Sequence, residues 1–132
     1  MAEIRPGGSA LNENDLTAQD RESLRQLREL FATRLPGRLA EIDAAWDEAR
    51  ARGFEPAAFA RFHRLVHSLA GAGTTFGYPE VTAAAKRIER LLQPLVRAQA
   101  GPAGLPEGTE GELAGLLAEL RQAAWLPPRQ AP

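Results

Sequence analysis

The 132-residue chain carries 25 Ala and 18 Leu but only 12 β-branched residues (3 Val, 3 Ile and 6 Thr), a balance that builds helices and excludes an all-β fold. Its 16 basic and 17 acidic side chains nearly cancel, which leaves no electrostatic footprint for nucleic acid or an anionic membrane. The absence of Cys removes disulfides, thiolate nucleophiles and cysteine-ligated zinc together, and a chain of this length buries enough surface to fold as one domain without such staples.

Residues 1–16, with Pro6, Gly7, Gly8, Asn12 and Asn14 and no periodicity, are expected to form a flexible arm. Thr17 and Asp20 mark a helix start. From there Leu24, Leu27, Phe31, Leu35, Leu39, Ile42, Trp46 and Ala49 recur at helical spacing as one apolar stripe. Pro36-Gly37 interrupts the stripe and predicts a kink or a brief break, because proline loses the bond to the carbonyl four residues back and clashes with it. Gly53 is a suitable stop.

Pro56 suits the first turn of a second helix, where its missing N–H would have no partner anyway. To about Thr74 its inner face is Phe59, Phe62, Leu65, Val66 and Leu69, with Ala60, His63, Arg64, His67, Ala70, Gly71 and Thr74 facing outward. Residues 73–78 read as a turn. Pro79 and Glu80 then open a third helix with Val81, Ala84, Ala85, Ile88, Leu91, Leu92 and Leu95 inward, kinked or shortened at Pro94. Residues 101–108 are a loop by composition. Thr109 with Glu112 forms a T-x-x-E capping box ahead of a last helix with Leu113, Leu116, Leu117, Leu120 and Ala124 on its apolar face. The segment after Trp125, residues 126–132, is Pro-rich and reads as a tail or linker.

Four amphipathic helices joined by short loops predict an all-α, antiparallel four-helix bundle over residues 17–125. No apolar run approaches the roughly 18 residues of a membrane span, and residues 1–8 lack a signal-peptide core. A cytoplasmic monomer without membrane or nucleic-acid partners is therefore expected.

His63 and His67 are the two histidines of the chain, four residues apart on the outward face of the second helix. A solvated pair of imidazoles is the plain reading. Beside His67, however, Ala70 and Gly71 lie one turn on along the same face, and a glycine inside a helix costs about 1 kcal/mol relative to alanine. Small residues next to an exposed imidazole give a bulky partner room to bring a reactive group to the ring; simple fraying ahead of the turn is the alternative. On the third helix Thr82, Lys86, Glu89 and Gln93 form a polar stripe. Glu89 lies twelve residues past Gly77 and His67 ten before it, so antiparallel helices set the two at nearly the same height. A carboxylate on one ring nitrogen fixes the tautomer and leaves the other nitrogen as a directed nucleophile or ligand.

The run His67-Ser68-Leu69-Ala70-Gly71, with Gly77 six residues further on, resembles the H-x-L-K-G-(five residues)-G signature of histidine phosphotransfer (HPt) domains, four-helix bundles that carry phosphoryl groups in two-component phosphorelays. The resemblance implies that His67 accepts phosphate on its exposed nitrogen, that Glu89 holds the other, and that Leu69 aims the helix from the core. It further implies that Gly71 makes room for a receiver domain, with His63, Ala70 and Thr74 around it at the docking surface, and that Gly77 sets the helix register. The implied partner is a response-regulator receiver domain or a hybrid histidine kinase. No cofactor of the protein's own is expected, and Mg2+ would belong to the receiver. Ala70 stands where the family usually has lysine; Lys86, Arg64 and Arg90 are the cations available to replace it near the phosphoryl group, and Lys86 is the single lysine among 15 arginines.

The leading expectation is thus a phosphocarrier rather than an enzyme, since phosphoryl transfer is largely positioning and charge neutralisation. A binding-only module that docks a receiver or kinase with little or no transfer is the alternative, and Ala70 is its best support. A metal site on His63, His67 and Glu89 is the weaker rival, because position 64 is Arg where a zinc-protease helix has the Glu of H-E-x-x-H.

Overall fold

A computed structural model describes residues 17–97 and 105–125; the expected arm at 1–16 and tail at 126–132 lie outside them. The described residues form α1 (Ala18–Ala51), α2 (Pro56–Thr75), α3 (Pro79–Arg97) and α4 (Thr109–Ala124). The helices run up and down in turn. Trp46 of α1 packs against Phe62 of α2 and Phe31 against Phe76 in tilted ring pairs, so α1 and α2 are antiparallel. Thr82 to Ala70 and Glu89 to His67 give the same sense for α2 and α3. Asp43 to Arg121 and Arg50 to Glu110 give it for α1 and α4. The all-α antiparallel bundle expected from the sequence is the observed fold.

The core is built from the expected stripes: Phe31, Leu35, Ile42 and Trp46 from α1, Phe59, Phe62, Val66 and Leu69 from α2, Val81, Ile88 and Leu92 from α3, and Leu113, Leu117 and Leu120 from α4. Burying each such side chain contributes about 1.5–3 kcal/mol. The stripe of α1 fades toward its N-terminus, where Leu27 is 49% and Leu30 44% exposed.

Three local expectations are corrected. Of the kink or break expected at Pro36 and the kink or shortening expected at Pro94, the break and the shortening do not occur: α1 runs unbroken through Pro36, and α3 through Pro94 to Arg97. Both prolines sit on exposed faces, where the carbonyl freed one turn back can bond water, while Leu35 and Ile42 anchor α1 in the core on either side. The capping box at Thr109 does not form. Gly108, left-handed at φ 83, takes the N-cap position, and Thr109 is the first helical residue, its side chain buried. Gly73 is not in a turn, because α2 continues to Thr75.

The ends that set the register follow local rules. Thr17 caps α1 through its Oγ1, which accepts the Asp20 N–H at 3.0 Å. At the other end Phe54 N–H donates to Ala49 O (2.7 Å) and Gly53 N–H to Arg50 O (3.1 Å), a Schellman closure with Gly53 at φ 64. α2 closes in the same way, Tyr78 N–H donating to Gly73 O at 2.8 Å across Gly77 at φ 88. That glycine turns the chain back within three residues and lays α3 along α2.

Candidate functional site: the His67–Glu89 pair

The seam between α2 and α3 carries the chemistry. Phe59, Phe62, Val66 and Leu69 commit one face of α2 to the core, which turns His67 outward until its side chain is 70% exposed. Ile88 and Leu92 orient α3 likewise and place Glu89 at the edge of the buried face, its side chain only 13% exposed. His67 Nδ1 and Glu89 Oε2 are hydrogen-bonded. With the carboxylate accepting from Nδ1–H, the lone pair of the neutral imidazole lies on Nε2, the nitrogen not committed to Glu89. The height match inferred from chain distances to Gly77 is realised as a direct contact.

His63 lies one turn before His67. The two rings stack with centroids 6.2 Å apart and planes 19° from parallel. His63, expected on the outward face, is partly buried: its side chain is 20% exposed, and Nε2 is buried without a hydrogen-bond partner. That nitrogen lies 4.0 Å from Glu89 Oε2, the same oxygen that serves His67. Burial holds the His63 pKa below the ordinary imidazole value; the Glu89 charge opposes the shift, and His67 and Arg64 add to it.

Ala70, placed on the outward face by the sequence, is 3% exposed and offers a partner no surface. α3 covers it: Thr82 Oγ1 donates to the Ala70 carbonyl at 2.9 Å and accepts from Thr74 Oγ1 at 3.1 Å. Sequence reading put Thr82 in a polar stripe and missed this bolt between the helices. Its signal was Gly73, where a Cβ would stand 2.4 Å from Thr82 Oγ1 and 3.2 Å from the Tyr78 carbonyl. Gly71, by contrast, is exposed, and a Cβ there meets nothing within 4 Å.

The cations occupy two places. Lys86 and Arg90, with Arg87, Thr74 and Thr82, line a surface groove of about 360 Å³ beside the seam. Arg87 is engaged by Glu119 of α4 at 3.6 Å. Arg64 is exposed on α2 and close enough to disfavour charge on His63. Among the described residues no group of three or more His, Asp or Glu side chains is arranged to hold a metal ion, and none of the helices is long and apolar enough to cross a membrane.

Residues 26–123 match the family described as Hpt domain. The chain belongs to the Hpt domain family. No curated protein and no solved structure matches it significantly. Hpt domains are phosphocarrier modules rather than enzymes and serve histidine phosphotransfer in phosphorelays, with receiver domains or kinases as partners. In this Hpt domain His67, Ser68 and Gly71 of the signature fall on the exposed face of α2, Leu69 and Ala70 are buried, and Gly77 lies in the turn to α3.

Proposed function

We propose that this Hpt domain is a working phosphocarrier whose acceptor is Nε2 of His67. The supporting observation is the hydrogen bond from Nδ1 to a Glu89 carboxylate that is largely shielded from water, beside a ring that is itself open to a partner. In the reaction the Nε2 lone pair attacks the phosphorus of an aspartyl phosphate on a receiver domain. The N–P bond forms as the P–O bond to the carboxyl breaks, and the aspartate leaves with the electron pair. The positive charge that develops on the imidazole is met by Glu89 through the shared Nδ1 proton. Return transfer runs the same steps backward. Mg2+ and the acidic pocket belong to the receiver, and the protein supplies an aimed nucleophile and room at Gly71.

Lys86 replaces the lysine missing at position 70, supported by its place with Arg90 in the groove next to the α2–α3 seam. The binding-only reading rests on the same missing cation. One experiment separates the two: incubation with a phosphorylated receiver domain should give an acid-labile, base-stable label on the wild type and none on a folded His67→Gln variant. Undiminished labelling of His67→Gln overturns the assignment of the acceptor, and complex formation without label on the wild type establishes the binding-only module.

A further inference from the structure

His63 is a polar group that phosphoryl acceptance at His67 does not by itself require, yet it is held at the centre of the site. Glu89 is the carboxylate on which His67 depends, and its side chain is only 13% exposed. Among the described residues the two imidazoles are the ionisable groups within ion-pair distance of it, both at Oε2. Its neighbours on α3, Lys86 and Arg90, instead line the adjoining groove. A carboxylate removed from water needs donors to stay in place, and the His63 Nε2, buried and without another partner, is a donor 4.0 Å away that a small movement brings into range.

We propose that His63 is a positioning residue for the phosphoacceptor: its neutral imidazole, donating from Nε2–H, keeps the Glu89 carboxylate seated on His67 Nδ1 and so keeps the nucleophilic lone pair on Nε2 of His67. This inference rests on the reading of His67 as the acceptor. Neutrality is what makes the arrangement work. A protonated His63 would compete for the same Glu89 oxygen and would oppose the charge that develops on the stacked His67 ring during attack. Burial works against that protonation, as do the two facing cation-forming groups on its own helix, His67 and Arg64; Glu89 from α3 is the group that favours it. No charged side chain of α1 or α4 among the described residues forms an ion pair with it.

The test compares wild type, His63→Gln, which can still donate an N–H but cannot titrate near neutrality, and His63→Leu, which fills the space without donating. His63→Ala takes the place of the leucine variant if that one does not fold. Nitrogen-15 spectra of the imidazoles read the His67 tautomer directly, without any phosphoryl transfer. The expected result is a loss of the Nδ1–H tautomer of His67 in His63→Leu and its retention in His63→Gln. Uptake of phosphate from a phospho-receiver should fall about 10-fold or more in the leucine variant, the size typical when a partner that orients a histidine is removed. In His63→Gln uptake should stay close to wild type and lose the part of its fall toward acid pH that is due to His63. An unchanged His67 tautomer and titration in His63→Leu overturns the proposal, as does a glutamine variant no better than leucine. If no variant takes up phosphate, the phosphocarrier reading fails, while the tautomer comparison still decides the role of His63.

Discussion

At the scale of single residues, the site depends on how much water each of three side chains meets: His67 is exposed, Glu89 mostly shielded, and His63 partly buried with its Nε2 closed off. The burial of His63 has a consequence for stability. Its folded pKa lies below the ordinary value of 6.5, so above that pH the ring is neutral in both states and carries no penalty. As pH falls through 6.5 the unfolded chain takes up the proton first, and folding is disfavoured progressively until pH reaches the lowered folded value. Thermal melts at about pH 7 and about pH 5 should therefore show a larger loss of Tm for wild type than for His63→Gln; equal losses would mean that the ring titrates freely. Lys86 is a matter of rate. Lys86→Gln should slow phosphoryl uptake by roughly fivefold, about 1 kcal/mol of charge stabilisation at an open site, in single-turnover transfer from a phospho-receiver, and leave the melting temperature unchanged. The His67–Glu89 contact was legible in the sequence because it needed only helical spacing and a turn of known position. The shielding of His63 was not, because an amphipathic pattern assigns a face and not the depth of an atom at the edge of that face.

At the scale of elements, two glycines two residues apart have opposite meanings. Gly73 faces α3, and a Cβ there would press on Thr82 Oγ1 at 2.4 Å and on backbone atoms at 3.2 and 3.3 Å. Part of that obstruction is backbone, so it cannot swing aside. Gly73→Ala should push α3 from α2, break the Thr82 to Ala70 hydrogen bond and destabilise the bundle by about 1–3 kcal/mol in denaturant unfolding, as overpacking does. Gly71 faces open space, and Gly71→Ala should raise stability by up to about 1 kcal/mol through helix propensity alone. If room at Gly71 serves docking, the same variant takes up phosphate normally from phosphoramidate and more slowly from a phospho-receiver; equal slowing with both donors would place the effect in the imidazole instead. The helix pattern itself was readable: four stripes, the Thr17 cap, the stop at Gly53 and a turn that includes Gly77 are where the sequence set them. The breakers misled because their effect depends on which side of the helix they occupy. Pro36 and Pro94 face water, and Gly108 displaced Thr109 as the N-cap by adopting a left-handed conformation that a hydroxyl motif cannot announce.

At the scale of the molecule, the helices are unequal. α1 has 34 residues and α2 has 20, about 50 Å against about 30 Å at the α-helical rise. The first core residue of α1 is Phe31, which meets Phe76 and Tyr78 at the turn between α2 and α3. The segment 18–30 thus contributes nothing fully buried to the bundle, and its Arg25 pairs with Glu22 and Glu29 within the same helix. Exposed pairs of that kind are worth under about 1 kcal/mol each, and pairs within one helix do not tie its turns to the core. Residues such as Ile42, Ala45 and Ala49, by contrast, are closed off by α2 and the rest of the core. Amide exchange should accordingly divide α1 in two: rapid exchange through local opening over 18–30, and protection approaching that of global unfolding over 42–49. A chain beginning at Gln26, where the Hpt family match begins, should unfold in one transition within about 1 kcal/mol of the full chain and retain phosphate uptake at His67, since the His67–Glu89 contact lies between α2 and α3. Uniform protection along α1, or a loss of several kcal/mol on truncation, would show that the first three turns are held by contacts beyond their own helix, and the unit of folding would then be longer than the unit of function.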